Sequence, residues 1–422
     1  MSNNKNHIRI FEHQTLKLNQ VLDGICFDTP KLKALQNFYG EKGVPYYSLI
    51  NNGIKFCQYV GVIQVGTLSI EVLPKVENKT EDKQKATWQK MLIDMLKAVG
   101  IFSVHAPSQA SLNLKSNSLL DLYFELFIQE IEYLLHKGLI KKYRKTESNL
   151  YALKGNLQFN KHIQQNLVHQ ERFYVKHSSY DTENIWHKIL YKALKLIKLI
   201  NTNQQLQSRI GALLLHFPEM PDIKITEAVF EKLLFDRKTI PYQKAIEIAQ
   251  LLLLKYHPDI QSGKNHVLAL MFDMNLLWER FVFVSLKKHL KEAQITPQLP
   301  RHFWQSSQNL RSTIVKPDIY IKYNEVAYIL DTKWKDISDY NPSAEDLRQM
   351  YVYHEFYNAE KVALVYPSSI SENKQKGGFF YDTQKNKSKK ECSIVLLKVE
   401  PSIKNWQETI CKNIQEWIAG KK

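Results

Sequence analysis

The segments Val315-Lys316-Pro317-Asp318-Ile319-Tyr320-Ile321 and Val326-Ala327-Tyr328-Ile329-Leu330-Asp331-Thr332-Lys333 carry the densest structural signal in the chain. Both are short and rich in β-branched and aromatic residues. The polar Tyr323-Asn324-Glu325 separates them, so together they read as the two strands of a hairpin. Successive strand side chains point to opposite faces. Asp331 and Lys333 therefore share one face, and Tyr328 and Leu330 the other. The hairpin returns Asp318 beside Asp331, which sets two carboxylates and an amine at one sheet edge. Two hard oxygen ligands suit Mg²⁺, which keeps several waters and a substrate phosphate for its other positions. A lysine next to them can orient or polarise an attacking water. The chemistry expected of such a set is phosphodiester hydrolysis.

Pro317-Asp318, a spacer and then Asp331-x-Lys333 resembles the pattern of the PD-(D/E)xK nuclease superfamily. An isolated Asp-x-Lys on an exposed strand is more often a solvated charge pair, so the flanking elements decide its weight. Upstream, residues 272–282 have helical spacing and offer Glu279 as a third carboxylate. Downstream, residues 345–353 read as a helix, with Gln349 and Tyr353 one turn apart on a shared face. A strand at 361–366 follows, closed by Pro367. The order helix, hairpin, helix, strand is the core arrangement that the superfamily resemblance implies.

A length of 422 residues allows two to three domains and a sizeable core. A hydrophobic share of 44 % and a charged share of 24 % are ordinary for a soluble globular protein. The 58 basic residues against 42 acidic give +16, which favours a polyanionic partner, although lysine-rich coding alone would give the same balance. No apolar run is long enough for a membrane span; Leu251-Leu252-Leu253-Leu254 lies between Gln250 and Lys255. Residues 1–7 lack the apolar stretch of a secretory signal. Cys26, Cys57, Cys392 and Cys411 form no CxxC pair, so neither a zinc site nor a disulfide framework is expected, and a cytoplasmic location is.

The chain divides by pattern into three parts. Residues 1–80 read as a β-rich N-terminal domain, with a hairpin at 59–73 in which Gly66 supplies the positive φ of a tight turn. A polar charge run at 77–85 reads as a linker. Residues 86–262 form a mainly helical middle region, with helices expected at 119–135, 185–200, 204–215 and 242–256. Within it Lys137, Lys141, Lys142, Arg144, Lys145, Lys154 and Lys161 are interleaved with Tyr143 and Tyr151. That mixture suits contact with a nucleic-acid backbone or, equally, a solvated basic surface. Residues 265–422 carry the nuclease pattern and end in a mobile basic loop at 374–390, a strand at 394–399 and a helix at 406–418. The fold class expected is α+β and multidomain, with a C-terminal α/β core like that of restriction endonucleases. A segment starting near residue 265 is expected to hold a complete core of its own.

Several segments together resemble the McrC family, the nuclease subunits of McrBC 5-methylcytosine restriction systems. They begin with Gly61-Val62-Ile63-Gln64-Val65-Gly66 and Glu71-Val72-Leu73-Pro74-Lys75. They continue through Gly138-Leu139-Ile140 with Tyr143, then Leu153-Lys154-Gly155-Asn156-Leu157 with His162-Ile163 and Asn166, and Tyr180-Asp181-Thr182-Glu183-Asn184. Trp186-His187 stands where the family has an asparagine-containing pair. The resemblance resumes at Met271-Phe272-Asp273-Met274-Asn275, Glu279, Pro317-Asp318, Asp331-Thr332-Lys333, Asp346 with Gln349 and Tyr353, and Tyr366-Pro367. It covers most of the chain.

The resemblance implies a DNA endonuclease subunit that cleaves with Mg²⁺, Mn²⁺ being able to substitute. It implies a hexameric AAA+ GTPase partner of the McrB type, double-stranded DNA containing modified cytosine as substrate, and docking of the N-terminal domain on the ring to stimulate GTP hydrolysis. Asp318 and Asp331 would hold the metal, with the Thr332 carbonyl as a further ligand. Lys333 would position the water and Glu279 would assist. Gln349, Tyr353 and Lys316 are candidates for DNA contact or for support of the site. The chain has no G-x-x-x-x-G-K-[ST] loop, so no nucleotide site is expected on it. Two alternatives stand beside this reading. One is a non-cleaving regulatory subunit of the same GTPase, disfavoured by the intact Asp/Asp/Lys set. The other is a repair nuclease of the same superfamily with another motor, disfavoured by the N-terminal resemblance.

Overall fold

Asn324 and Glu325 both take positive φ, 48° and 61°, and connect Tyr323 to Val326 as a two-residue turn. Such a turn matches the twist of antiparallel strands, so Ile319–Tyr323 and Val326–Thr332 pair in the register Ile319↔Leu330 to Tyr323↔Val326. This hairpin is the middle of a six-stranded mixed sheet. Gln294–Pro297 lies outside its first strand, antiparallel. Beyond the second strand come Lys361–Ser368 and Lys387–Lys398, both parallel, and then Gln375–Tyr381, antiparallel.

Alternation along the strands sorts the two faces. Ile329, Val362, Leu364 and Tyr366 pack against Met350, Tyr353 and Tyr357 of the helix Ala344–Tyr357. The opposite face carries Tyr328, whose ring meets Trp417 of the helix Ile403–Ala419 at 5.8 Å. There the helix Met274–His289 buries Leu277, Trp278, Phe281, Val282 and Leu286 at helical spacing, with Trp278 against Trp406 at 5.4 Å. Pro367 does not end its strand as expected. The register with the neighbouring strand stops at Thr332↔Val365, so the missing proline N–H can face an edge that the neighbour has already left.

The structure, a computed structural model, describes residues 6–75, 84–100, 118–257, 266–307, 312–335, 341–368, 375–382, 384 and 386–420. The chain forms two compact units, one of Met1–Ile63, Leu68–Ser103 and Met271–Lys422, the other of Gln64–Thr67 and Val104–Leu270. This grouping differs from the three-part division expected from the sequence. The N-terminal strand His7–Phe11 runs parallel to Leu68–Leu73, and the Trp334 indole donates to the buried Glu12 carboxylate at 2.8 Å. A fragment starting near residue 265 would lack Glu12 and so lose this buried hydrogen bond.

The N-terminal part is β-rich as expected but not all β, and the basic loop expected in this unit is corrected. The N-terminal part contains the helix Thr29–Tyr39, begun by Asp28, whose carboxylate accepts from the Lys31 N–H at 3.1 Å, with Pro30 in the first turn. Most of the basic loop expected at 374–390 is a hairpin of Gln375–Tyr381 with Lys387–Lys398; its residues 374, 383 and 385 lie outside the described ones.

The second unit is built on the helices Leu119–Lys137, Ile185–Ile200, Gln204–His216 and Gln243–Leu254. It also holds a three-stranded antiparallel sheet, in the order Asn156–Leu157, Phe173–Asp181, Lys142–Leu150, which a mainly helical expectation did not include. The basic run becomes one strand of that sheet, and part of its charge is paired. Arg144 bridges Asp181 at 3.0 Å and Glu183 at 2.7 Å, and Lys161 meets Glu147 at 2.6 Å. Among the described residues no helix is long and apolar enough to cross a membrane.

Candidate active site

Asp331, the last residue but one of the strand Val326–Thr332, is 1 % exposed and sends its carboxylate to the face covered by the helix Ala344–Tyr357. Asp318 immediately precedes the neighbouring strand, Ile319–Tyr323. Its Oδ2 accepts the Thr332 N–H at 2.7 Å and the Thr332 hydroxyl at 2.9 Å, which fixes its orientation. Thr332 is thus placed as the holder of Asp318 through its amide and side chain. Lys333 emerges beside Asp331, with Nζ 2.7 Å from Oδ2 in an ion pair, and lies 3.9 Å from Asp346. Asp346 sits in the first turn of the covering helix, where Ser343 caps its N–H and Lys335 pairs with it at 2.9 Å.

The electrostatics follow from burial. Burial, and then the charge of Asp318, push the Asp331 carboxyl well above the usual carboxylate range despite Lys333. Burial works against the Lys333 ammonium, but Asp331, Asp318 and Asp346 together hold it protonated more firmly than a free lysine. Glu279, on the helix Met274–His289, is raised by burial and by Asp318. Asp331, Asp318 and Asp346 thus all act on the Lys333 ammonium, and the Asp318 charge acts on both Asp331 and Glu279.

The remaining expected residues connect to this cluster through hydrogen bonds. Gln298 Nε2 donates to Glu279 Oε1 at 2.8 Å, and Lys316 Nζ donates to Gln298 Oε1 at 3.3 Å. Tyr353, 4 % exposed, donates its hydroxyl to the Lys316 carbonyl at 2.8 Å, and Gln349 Nε2 donates to that hydroxyl at 2.8 Å. Gln349 and Tyr353 thus brace the backbone that leads into Pro317-Asp318. The Lys316 side chain is exposed.

A family model described as "McrBC 5-methylcytosine restriction system component" matches residues 54–367, well over half of the chain. The chain belongs to this family. No curated protein matches it. Among solved structures, a chain of the refined half-complex from a tetradecameric assembly of Thermococcus gammatolerans McrB AAA+ hexamers with bound McrC is similar at a TM-score of 0.71. The two are 19 % identical over 98 % of this chain and 100 % of that one. A chain of the Thermococcus gammatolerans McrBC complex is similar at a TM-score of 0.50 and 20 % identity, over 68 % of this chain and 88 % of that one. At these identities the likeness shows the fold.

The McrBC family match includes every residue of the cluster, and also two that sequence reasoning did not assign to the site. Asp346 lies in the sequence motif, and the fold makes it a partner of Lys333 and Lys335. Gln298 belongs to no motif in the sequence. It sits at positive φ, 45°, and its N–H donates to the Asp318 carbonyl at 3.0 Å, so only the folded chain reveals that it touches both Glu279 and the Asp318 backbone. Replacing Gln298 by Leu removes a donor that lowers the Glu279 pKa. Glu279 would then ionise at higher pH. If cleavage needs the ionised form, the acid limb of the pH–rate profile should move to higher pH, with little change on the alkaline side. An unmoved acid limb would show that the Glu279 charge is not used.

Proposed function

We propose that the chain is the DNA-cleaving subunit of an McrBC-type restriction complex, with Asp318, Asp331 and Lys333 as a PD-(D/E)xK phosphodiester-hydrolysing site. The observation that carries this reading is the buried Asp331 carboxylate, paired with Lys333 at 2.7 Å and facing a second carboxylate that Thr332 holds in place. A buried charge is costly without compensation. Lys333 supplies one positive charge for two neighbouring carboxylates, so the site is suited to a further cation. Among the described residues no three His, Cys, Asp or Glu side chains assemble into a ready cage. The two carboxylates suit Mg²⁺, which completes its octahedron with water and phosphate oxygens.

Asp318 and Asp331 would hold the cation, with the Thr332 carbonyl as a further ligand and Mn²⁺ able to replace Mg²⁺. When bound, the metal would lower the pKa of a coordinated water and neutralise charge developing on the phosphate. The chain's own groups divide the remaining work. Lys333 stays protonated, so it orients the attacking water and stabilises negative charge rather than removing a proton. Glu279, whose carboxyl is pushed up by burial and by Asp318, would assist as a proton acceptor. Exposed Lys316 is placed for a DNA phosphate, and an excess of basic residues supports a polyanionic substrate.

A hexameric AAA+ GTPase of the McrB type is the partner this reading assigns, with modified cytosine in double-stranded DNA as the mark recognised by the complex. The likeness to chains from complexes of McrB hexamers with bound McrC supports that partner. The test compares the full chain and Asp331→Asn, each assembled with the GTPase. Equal stimulation of GTP turnover, with cleavage of methylated DNA by the wild type alone, is the expected result. Loss of stimulation in the variant would show that the cluster serves assembly instead of cutting.

A further inference from the structure

Glu12 follows the N-terminal strand His7–Phe11 and is 1 % exposed. Its N–H donates to the Leu73 carbonyl at 2.9 Å, continuing the parallel pairing of the strand. Its Oε1 accepts two hydrogen bonds, from the Lys75 N–H at 2.7 Å and from the Trp334 indole N–H at 2.8 Å. Oε2 lies 3.8 Å from His13 Nε2. Burial raises the Glu12 pKa to about 7, so the carboxylate is kept in an environment that disfavours its charge. A buried polar group of this kind is tolerated because both donors are aimed at one oxygen.

Trp334 is the residue after Lys333. The Lys333 N–H donates to the Val365 carbonyl at 3.0 Å, and the Trp334 N–H donates to Asn275 Oδ1 at 3.2 Å. The Trp334 ring stands edge-on to Trp278 at 5.6 Å. Past Thr332 the sheet register has ended, so these few contacts hold the backbone that carries the Lys333 side chain. The indole N–H, the one polar group of the Trp334 side chain, is held by Glu12.

We propose that Glu12 is a positioning residue of the cleavage site: by holding the Trp334 indole it sets the place of the Lys333 ammonium against Asp331. The inference rests on the reading of the cluster as a cleaving site. It makes the N-terminal strand part of the catalytic unit. A displacement of about 1 Å at a reacting group can cost on the order of 10²-fold in rate, so one indole anchor is enough to matter.

The experiment uses the full chain assembled with its GTPase partner and follows single-turnover DNA cleavage, DNA affinity and GTP turnover. Glu12→Ala is expected to slow cleavage roughly tenfold or more, leaving DNA affinity and GTP turnover unchanged. Glu12→Gln keeps an oxygen that accepts both bonds and should restore cleavage to within about threefold of wild type. Trp334→Phe keeps the ring packing and removes the N–H; it should reproduce the loss, and the double variant should be no slower than either single one. Wild-type cleavage by Glu12→Ala, equal loss in Glu12→Ala and Glu12→Gln, or multiplying losses in the double variant would each overturn the proposal. Should Glu12→Ala fail to fold, Trp334→Phe decides alone, and wild-type cleavage by it overturns the link. If the wild type itself does not cut, the cleaving-site reading fails and exchange of the Lys333 amide tests the link instead. It should quicken in Glu12→Ala and not in Glu12→Gln, and unchanged exchange in both overturns it.

Discussion

Asp331→Asn is expected to lower single-turnover DNA cleavage by roughly 10³-fold, the upper range for removing one electrostatic group that acts in the transition state. The same substitution should stabilise the fold above neutral pH. Burial and Asp318 raise the Asp331 pKa in the folded chain above its unfolded value. As pH rises through that interval the unfolded chain releases the proton first, so the folded state binds more protons and stability falls. Asparagine has nearly the same shape and does not ionise. Lys333 keeps Asp346 at 3.9 Å, so its ammonium is not left without a carboxylate. Denaturation at about pH 8 should favour the variant, and at about pH 4 the difference should close. Added Mg²⁺ should raise the midpoint of the wild type and not of Asp331→Asn. A wild type more stable than the variant at pH 8 without cation would show that the carboxylate is not held against its solvation preference.

Lys333→Met should lower cleavage by roughly 10²-fold or more, because it removes the ammonium that stands 2.7 Å from Asp331. Removing a positive charge beside the carboxylates should tighten cation binding at the same time. The combination of tighter Mg²⁺ binding and lost cleavage separates a role on the water or phosphate from a role as countercharge. Lys333→Arg should recover little. A planar guanidinium fork does not occupy the place of a compact ammonium between Asp331 and Asp346. Near-wild-type cleavage by either variant would mean that Lys333 only balances charge.

The parts of the fold legible in the sequence are those set by local chemistry. Strand alternation placed Asp331 and Lys333 on one face, and a polar two-residue turn brought Asp318 beside them. The helix Ile185–Ile200 follows directly from its apolar spacing and the Asn184 cap. The helix Thr29–Tyr39 carried its own signals in Asp28 and Pro30, but its weakly apolar body did not stand out. The strands Lys142–Leu150 and Phe173–Asp181 alternate between half-buried and exposed positions, but most of the half-buried residues are polar, so hydrophobic alternation could not mark them. Gln298 and Glu12 were illegible for another reason. Gln298 meets Glu279 19 residues away, and Glu12 meets Trp334 across 322 residues. Nothing near either residue announces its partner.

The most direct measurement is single-turnover cleavage of methylated duplex DNA by the full chain assembled with its AAA+ GTPase partner and GTP, with Mg²⁺ present and after its removal by chelation. The Asp318–Asp331–Lys333 account expects cleavage with Mg²⁺, none after chelation, and recovery when Mg²⁺ or Mn²⁺ is restored. Cleavage undiminished by chelation, or no cleavage with Mg²⁺ while the partner hydrolyses GTP, would contradict it.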